Sequence, residues 1–160
     1  MDFWHEVEGF PNYVINPDGE LKSVASGQLK NSRINNYGDR IVDLYRDGRQ
    51  HTRKVALLVA QAYLEPPPTE AYNSVIQHDG DRGNCAVGNL SWRPRWFVVL
   101  YNQMFKERAK DVSVIHHPSE EIFGTLREAC IKFGLVEKNA YVNILNGDPI
   151  FPLKGTLEIL

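Results

Sequence analysis

The stretch Val75-Ile76-Gln77-His78-Asp79-Gly80-Asp81-Arg82-Gly83-Asn84, closed by Asn89-Leu90-Ser91-Trp92, decides the fold. Val75 and Ile76 begin a short apolar strand. His78 to Asn84 is turn chemistry, rich in Asp, Gly and Asn, which tolerate tight backbone geometry. Asn89 to Trp92 returns as a second strand. Pro94 follows where a first helical turn accepts proline, and Trp96 to Lys110 reads as a helix. The segment predicts a strand, a loop, a strand and a helix.

On the C-terminal side, Val112-Ser113-Val114-Ile115 and Glu121-Ile122-Phe123 flank a turn at His117-Pro118-Ser119. Thr125-Leu126-Arg127-Glu128 has the spacing of a capping box, with Thr at the N-cap and Glu three residues on. The helix it opens covers Leu126 to Phe133 and stops at Gly134. A second short helix, Lys138 to Leu145, ends at Asn146-Gly147. Two short helices about a tight Gly-containing turn predict a helix-turn-helix. On the N-terminal side, Glu65-Pro66-Pro67-Pro68-Thr69 is extended, because three prolines fix φ and remove three donors. Before it, Val55 to Leu64 reads as a mostly buried helix that the prolines end. Tyr13 to Ile15 and Glu20 to Val24 flank the turn Asn16-Pro17-Asp18-Gly19, a hairpin. Arg40 to Tyr45 and Gln50 to Lys54 flank Arg46-Asp47-Gly48-Arg49. The expected class is α+β, in modules of residues 1–64, 65–110 and 111–160.

Net charge is -2, so any affinity for nucleic acid must come from a local patch. Between Arg93 and Lys110 lie Arg93, Arg95, Lys106, Arg108 and Lys110 with only Glu107 against them, a local +4 that can face phosphates. Cys85 and Cys130 are far apart, fit no C-x-x-C pattern and read as reduced thiols. His116 and His117 adjoin a turn and read as surface-loop residues. No apolar run approaches the roughly 20 residues that span a bilayer, and the first residues lack the basic start and apolar core of a signal peptide. The expected location is the cytoplasm, that of the host cell if a phage encodes the chain.

Three stretches together resemble the phage-type HNH homing endonucleases, in that family's order. Trp4-His5-Glu6-Val7-Glu8-Gly9-Phe10-Pro11-Asn12-Tyr13 with Asn16-Pro17-Asp18-Gly19 is similar to the N-terminal nuclease-associated motif, a β unit that helps grip DNA. Leu58-Val59-Ala60-Gln61-Ala62-Tyr63-Leu64 with residues 75–84 and Asn89-Leu90-Ser91-Trp92 resembles the HNH core, a ββα-metal fold. Thr125 to Gly147 resembles the C-terminal helix-turn-helix module. The resemblance implies a DNA endonuclease, homing-type and in some forms a nickase, that binds one divalent cation, Mg²⁺ or Mn²⁺. Such a cation polarises the phosphodiester while a histidine activates water.

The residues depart from that pattern in places. Ala56 stands where the family has His near the start of the early helix, and Cys85 replaces a common Asn. Counting back two from Asp79-Gly80 puts Gln77 in the base position and Ile76 in the preceding metal position. In a second register His78 is the base and Gln77 precedes it, and His78 then lies 11 residues before Asn89. The resemblance so implies His78 and Asn84 as catalytic residues and Asn89 and Gln77 as metal ligands. Arg93, Arg95, Lys106, Lys138 and Asn143 are the expected contacts to double-stranded DNA. Two alternatives stay open: a degenerate HNH protein that binds DNA without cutting, and an acidic protein that reuses the fold to bind a host protein.

Overall fold

The computed structural model describes residues 3–160. It is an α+β chain with four α-helices and several small antiparallel sheets among the described residues. The chain divides into two compact units. One runs to Gln77 and resumes over Asp81–Arg95; the other comprises His78–Gly80 and Trp96–Leu160.

In the first unit, β1 (His5–Val7), β2 (Phe10–Ile15), β3 (Leu21–Ser23) and β4 (Leu29–Lys30) form a meander. β2 and β3 are the expected hairpin. Its turn is locked by Asn16, whose Oδ1 accepts from the backbone N–H groups of Asp18 (3.1 Å) and Glu20 (2.9 Å). The same device recurs at Asn35, whose Oδ1 accepts from Tyr37 (2.9 Å) and Asp39 (3.0 Å). That second turn separates β5 (Arg33–Ile34) from β6 (Arg40–Arg46), which pairs in turn with β7 (Arg49–Lys54). α1 (Val55–Tyr63) stops just short of the prolines, as its sequence predicts. Val55, Leu58 and Val59 of α1 pack with Ile15, Val42 and Leu44 from the sheets. The Tyr63 hydroxyl donates to the Ile15 carbonyl at 2.6 Å. β8 (Ser74–Gln77) and β9 (Leu90–Arg93) then pair with Gln77 opposite Leu90. The residues before β9, Val87–Asn89, form a 3₁₀ turn, so Asn89 precedes the return strand where the sequence reading put it inside. The Trp92 indole N–H donates to the Glu65 carbonyl at 3.0 Å and pins the start of the proline segment.

In the second unit, α2 (Arg95–Met104) buries Phe97, Tyr101 and Met104, one helical face. It ends six residues before the expected Lys110. No proline or glycine breaks it. Lys106 and Glu107 bond instead to carbonyls three residues back, at Gln103 (3.0 Å) and Met104 (3.1 Å). The tightened turn lets Phe105 leave the helical path and lie edge-on to Tyr101, centroids 5.3 Å apart. Tertiary packing here overrides helix propensity.

β10 (Val114–His117), β11 (Glu121–Phe123), α3 (Leu126–Phe133), α4 (Glu137–Asn146) and β12 (Thr156–Ile159) complete the unit, with β10 central in the order β11-β10-β12. α3 has the predicted limits. Thr125 Oγ1 accepts from the Glu128 N–H at 3.2 Å, and Glu128 reaches back to the Gly124 N–H at 3.1 Å, one residue further than in the standard box. Gly134 closes the helix in the left-handed region at φ 68°. α4 begins at Glu137, within a residue of the expected start. The Glu137 carboxylate lies inside the unit, held by Arg127 Nε at 3.0 Å and by the Lys110 N–H at 3.2 Å. The two side chains are 13% and 5% exposed, so the pair is desolvated.

Breaking a buried pair by removing one partner leaves an uncompensated charge. Arg127→Met should cost about 3–5 kcal/mol, seen as a lower urea midpoint. Arg127→Met combined with Glu137→Leu should recover much of it. A single variant as stable as the parent would show that the pair does not hold the helices.

Candidate active site

His78 follows β8 directly. Its ring is half-buried, with Nδ1 2.7 Å from the Ile131 carbonyl oxygen in the last turn of α3. A carbonyl oxygen carries no proton, so Nδ1–H is the donor. In the neutral ring this fixes the tautomer, with the lone pair on Nε2. The backbone of His78 is held too: its carbonyl accepts from the Tyr101 hydroxyl at 2.7 Å. Gly80 closes the loop at φ 78°, and a Cβ there would fall 2.6 Å from Phe105 Cδ1. No other residue fits that turn under that ring.

The rest of the signature loop belongs to the first unit. Asp81 Oδ1 accepts from the Gly83 N–H at 2.9 Å. Arg82 is paired with Asp39 at 2.8 Å, and Arg40 Nε donates to the Gly83 carbonyl at 3.1 Å. These two ties from β6 and the turn before it fix the loop, and no local motif announces them. Asn84 Oδ1 caps the Ala86 N–H at 3.3 Å, and its carbonyl accepts from Asn89 Nδ2 at 3.0 Å. The structure therefore brings Asn84 and Asn89 together. The contact commits the Asn89 amide nitrogen to the Asn84 main-chain carbonyl. Gln77 is buried, 6% exposed, opposite Leu90 at the end of its strand.

Among the described residues, no three His, Cys, Asp or Glu side chains gather as a metal cage. Asn89 and Gln77, the ligands that the resemblance implies, would offer amide oxygens. A hard cation such as Mg²⁺ that keeps most of its waters and takes one or two protein oxygens suits this donor set; a soft ion needing thiolates or several imidazoles does not. Burial pushes the Cys85 thiol up to about 11 and the Cys130 thiol up to about 12. Both are buried, unpaired by disulfide, and thiols at neutral pH.

The cationic stretch is divided. Arg93 is half-buried, with Nη1 on the Trp92 carbonyl at 2.7 Å, and Arg95 is exposed. In the second unit, Lys106, Arg108 and Lys138 are exposed and Asn143 is half-buried. Arg108, Lys110 and Lys138 share the wall of a cleft of about 310 Å³ with Met104 and Glu137. The structure thus joins Lys138 to the end of the cationic stretch, while the Lys110 ammonium lies 4.6 Å from the centre of the Tyr141 ring.

The surface-loop reading of the remaining histidine pair needs correction. His116 is buried in β10, with Nδ1 2.6 Å from Ser119 Oγ and Nε2 2.9 Å from the Lys154 carbonyl. His117, the last residue of that strand, meets Glu120 at 2.7 Å and Glu158 at 3.1 Å. Hydrogen bonds to these carboxylates hold its pKa above the ordinary histidine value. Strand alternation places one ring inside and the next outside.

No family model matches the chain. It is 30% identical over 92 residues to an uncharacterised HNH endonuclease of Acanthamoeba polyphaga mimivirus, a match covering 58% of this chain and 23% of that protein. It is 26% identical over 84 residues to the H-N-H endonuclease F-TflII of Escherichia phage T5, covering 52% and 44%. The matches thus span less than half the length of these relatives. The fold is similar to that of the HNH homing endonuclease I-HmuI, solved for its DNA binding and cleavage. The TM-score is 0.56 at 23% identity, over 100% of this chain and 98% of that one.

The buried thiols give a direct check. At pH 8 a disulfide-exchange reagent such as DTNB should label neither cysteine in the native chain and both in denaturant. Rapid labelling of either in the native chain would contradict the burial described.

Proposed function

We propose that this chain, a relative of the HNH endonucleases in sequence with the fold of an HNH homing endonuclease, hydrolyses phosphodiester bonds in double-stranded DNA. The observation that carries the proposal is the setting of His78. Its Nδ1–H is committed to the Ile131 carbonyl, so in the neutral ring the lone pair sits on Nε2, the nitrogen a hydrolytic base would use. Gln77, the other occupant of the base position by sequence, carries an amide without a usable lone pair on nitrogen.

In the proposed reaction Nε2 of His78 takes a proton from water as the water oxygen bonds to phosphorus. The bond from phosphorus to the leaving deoxyribose oxygen breaks, and that oxygen gains a proton from solvent. Asn89 Oδ1 is the proposed oxygen ligand for Mg²⁺ or Mn²⁺, with Gln77 as the second amide. The bound cation would supply Lewis-acid stabilisation of the charge that develops on the phosphate oxygens. Asn84 positions Asn89 through the 3.0 Å contact to its amide. Arg93, Arg95 and Lys106 are proposed phosphate contacts. α3 and α4 are proposed to act as a helix-turn-helix, with Lys138 and Asn143 reading sequence. A homing-type role in a phage-infected host cytoplasm is the biological setting that suits these parts. No helix among the described residues is long and apolar enough to cross a membrane.

One observation favours a second reading. The two proposed ligands are amides, and among the described residues no three His, Cys, Asp or Glu side chains gather; a chain that binds DNA without cutting it could keep this scaffold. Incubation with supercoiled plasmid and Mg²⁺ or Mn²⁺ separates the two. Wild type should give open circles if it nicks and linear DNA if it cuts both strands. His78→Ala should lower cleavage by about 10²–10⁴-fold with DNA affinity unchanged. Binding that falls steeply with salt but brings no cleavage would support the DNA-binding scaffold. Loss of both at low salt would direct attention to a host protein as partner. Separately, Lys138→Ala with Asn143→Ala should change the sequence preference of binding, and an unchanged preference would remove α4 as the reader.

A further inference from the structure

His78, Asp79 and Gly80 pack with the C-terminal helices, whereas the residues on either side of them in the chain belong to the other compact unit. Three contacts make this so: the Tyr101 hydroxyl on the His78 carbonyl at 2.7 Å, the Ile131 carbonyl on the His78 ring at 2.7 Å, and the Phe105 ring where a Cβ of Gly80 would stand.

The Ile131 carbonyl is available because of how α3 ends. In a longer helix it would accept from the N–H of Leu135, four residues on. Instead Gly134 turns left-handed at φ 68°, ψ 55°, and the Leu135 N–H folds back to the Cys130 carbonyl at 2.9 Å. The Gly134 N–H bonds to the same carbonyl. This Schellman-type stop withdraws the donor that would have taken Ile131. Tyr101 is buried on the inner face of α2, stacked on Phe97 with centroids 6.3 Å apart and edge-on to Phe105, so its hydroxyl has little freedom.

We propose that Tyr101 of α2 and the Ile131 carbonyl at the Gly134 stop of α3 are positioning groups for the catalytic histidine, so that the C-terminal unit sets the hydrolytic base as well as contacting DNA. The inference rests on the reading of His78 as that base. Tyr101 fixes the backbone from which the ring projects, and Ile131 fixes the ring's tautomer and rotation. Neither touches the substrate. A small displacement of a base from its line of attack lowers the rate of chemistry without altering binding.

The test uses the full chain. Tyr101→Phe removes one oxygen and keeps the packed ring. It should lower kcat for plasmid cleavage by roughly ten- to a hundredfold, with KM and DNA affinity within about twofold of wild type. Long-range ¹⁵N–¹H correlation spectra of the metal-free wild type should show His78 as the Nδ1–H tautomer, and Tyr101→Phe should shift those resonances. An Nε2–H tautomer in the wild type overturns the role of Ile131 whether or not the variant folds. A folded Tyr101→Phe with wild-type kcat overturns the role of Tyr101. Undiminished cleavage by His78→Ala would overturn the assignment of the base itself, an outcome separate from the other two.

Discussion

One hydrogen bond, from His78 Nδ1 to the Ile131 carbonyl, carries the functional account. A neutral imidazole offers one donor and one acceptor, and a partner with no proton to give decides which nitrogen is which. The partner here is a main-chain carbonyl that a helix stop has released from its own ladder. The capping of α3 is therefore more than a stability feature. Thr125 starts the helix, Gly134 ends it, and the ending presents the acceptor that fixes the ring. The loop beneath is equally constrained, since Gly80 leaves no room for a side chain against Phe105.

The first unit solves a different problem, how to hold an irregular loop between two short strands. Backbone groups in such a loop need partners, and Arg40 and the Arg82–Asp39 pair supply anchors from β6 and the turn before it. Within that loop the Asn89 side-chain amide donates to the Asn84 main-chain carbonyl. The two proposed amide ligands, Asn89 and Gln77, would give a cation less electrostatic attraction than carboxylates would, and that is the ground for the non-cutting reading.

Much of the fold was legible because its signals are local. The residues 75–84 and 89–92 gave the strand, loop and strand; Thr125 to Gly134 gave α3 with correct limits; Asn16 to Gly19 gave a hairpin. The second Asn turn at Asn35 to Asp39 has the same Asn-x-x-Gly-acid spacing and could have been found by that comparison. β12 also had a readable alternation, with Leu157 buried between exposed Thr156 and Glu158. Other features had no local signal. The early end of α2 comes from Phe105 turning toward Gly80, the burial of His116 from the central place of β10, and the Arg127–Glu137 pair from the meeting of α3 and α4. For the site, sequence could nominate His78, Asn84, Asn89 and Gln77, but it left the register between Gln77 and His78 open. The partner that favours His78 is a backbone atom 53 residues away, and a carbonyl leaves no mark in a sequence.

If the imidazole of His78 is the base, its loss should leave a hole that a diffusible base can fill. The most direct measurement is the rate of metal-dependent plasmid cleavage by His78→Gly with and without added imidazole. The account predicts that the variant is inactive alone and that imidazole restores cleavage in proportion to its concentration. A wild type that cuts, beside a folded, DNA-binding variant that cuts equally well without imidazole, would contradict it.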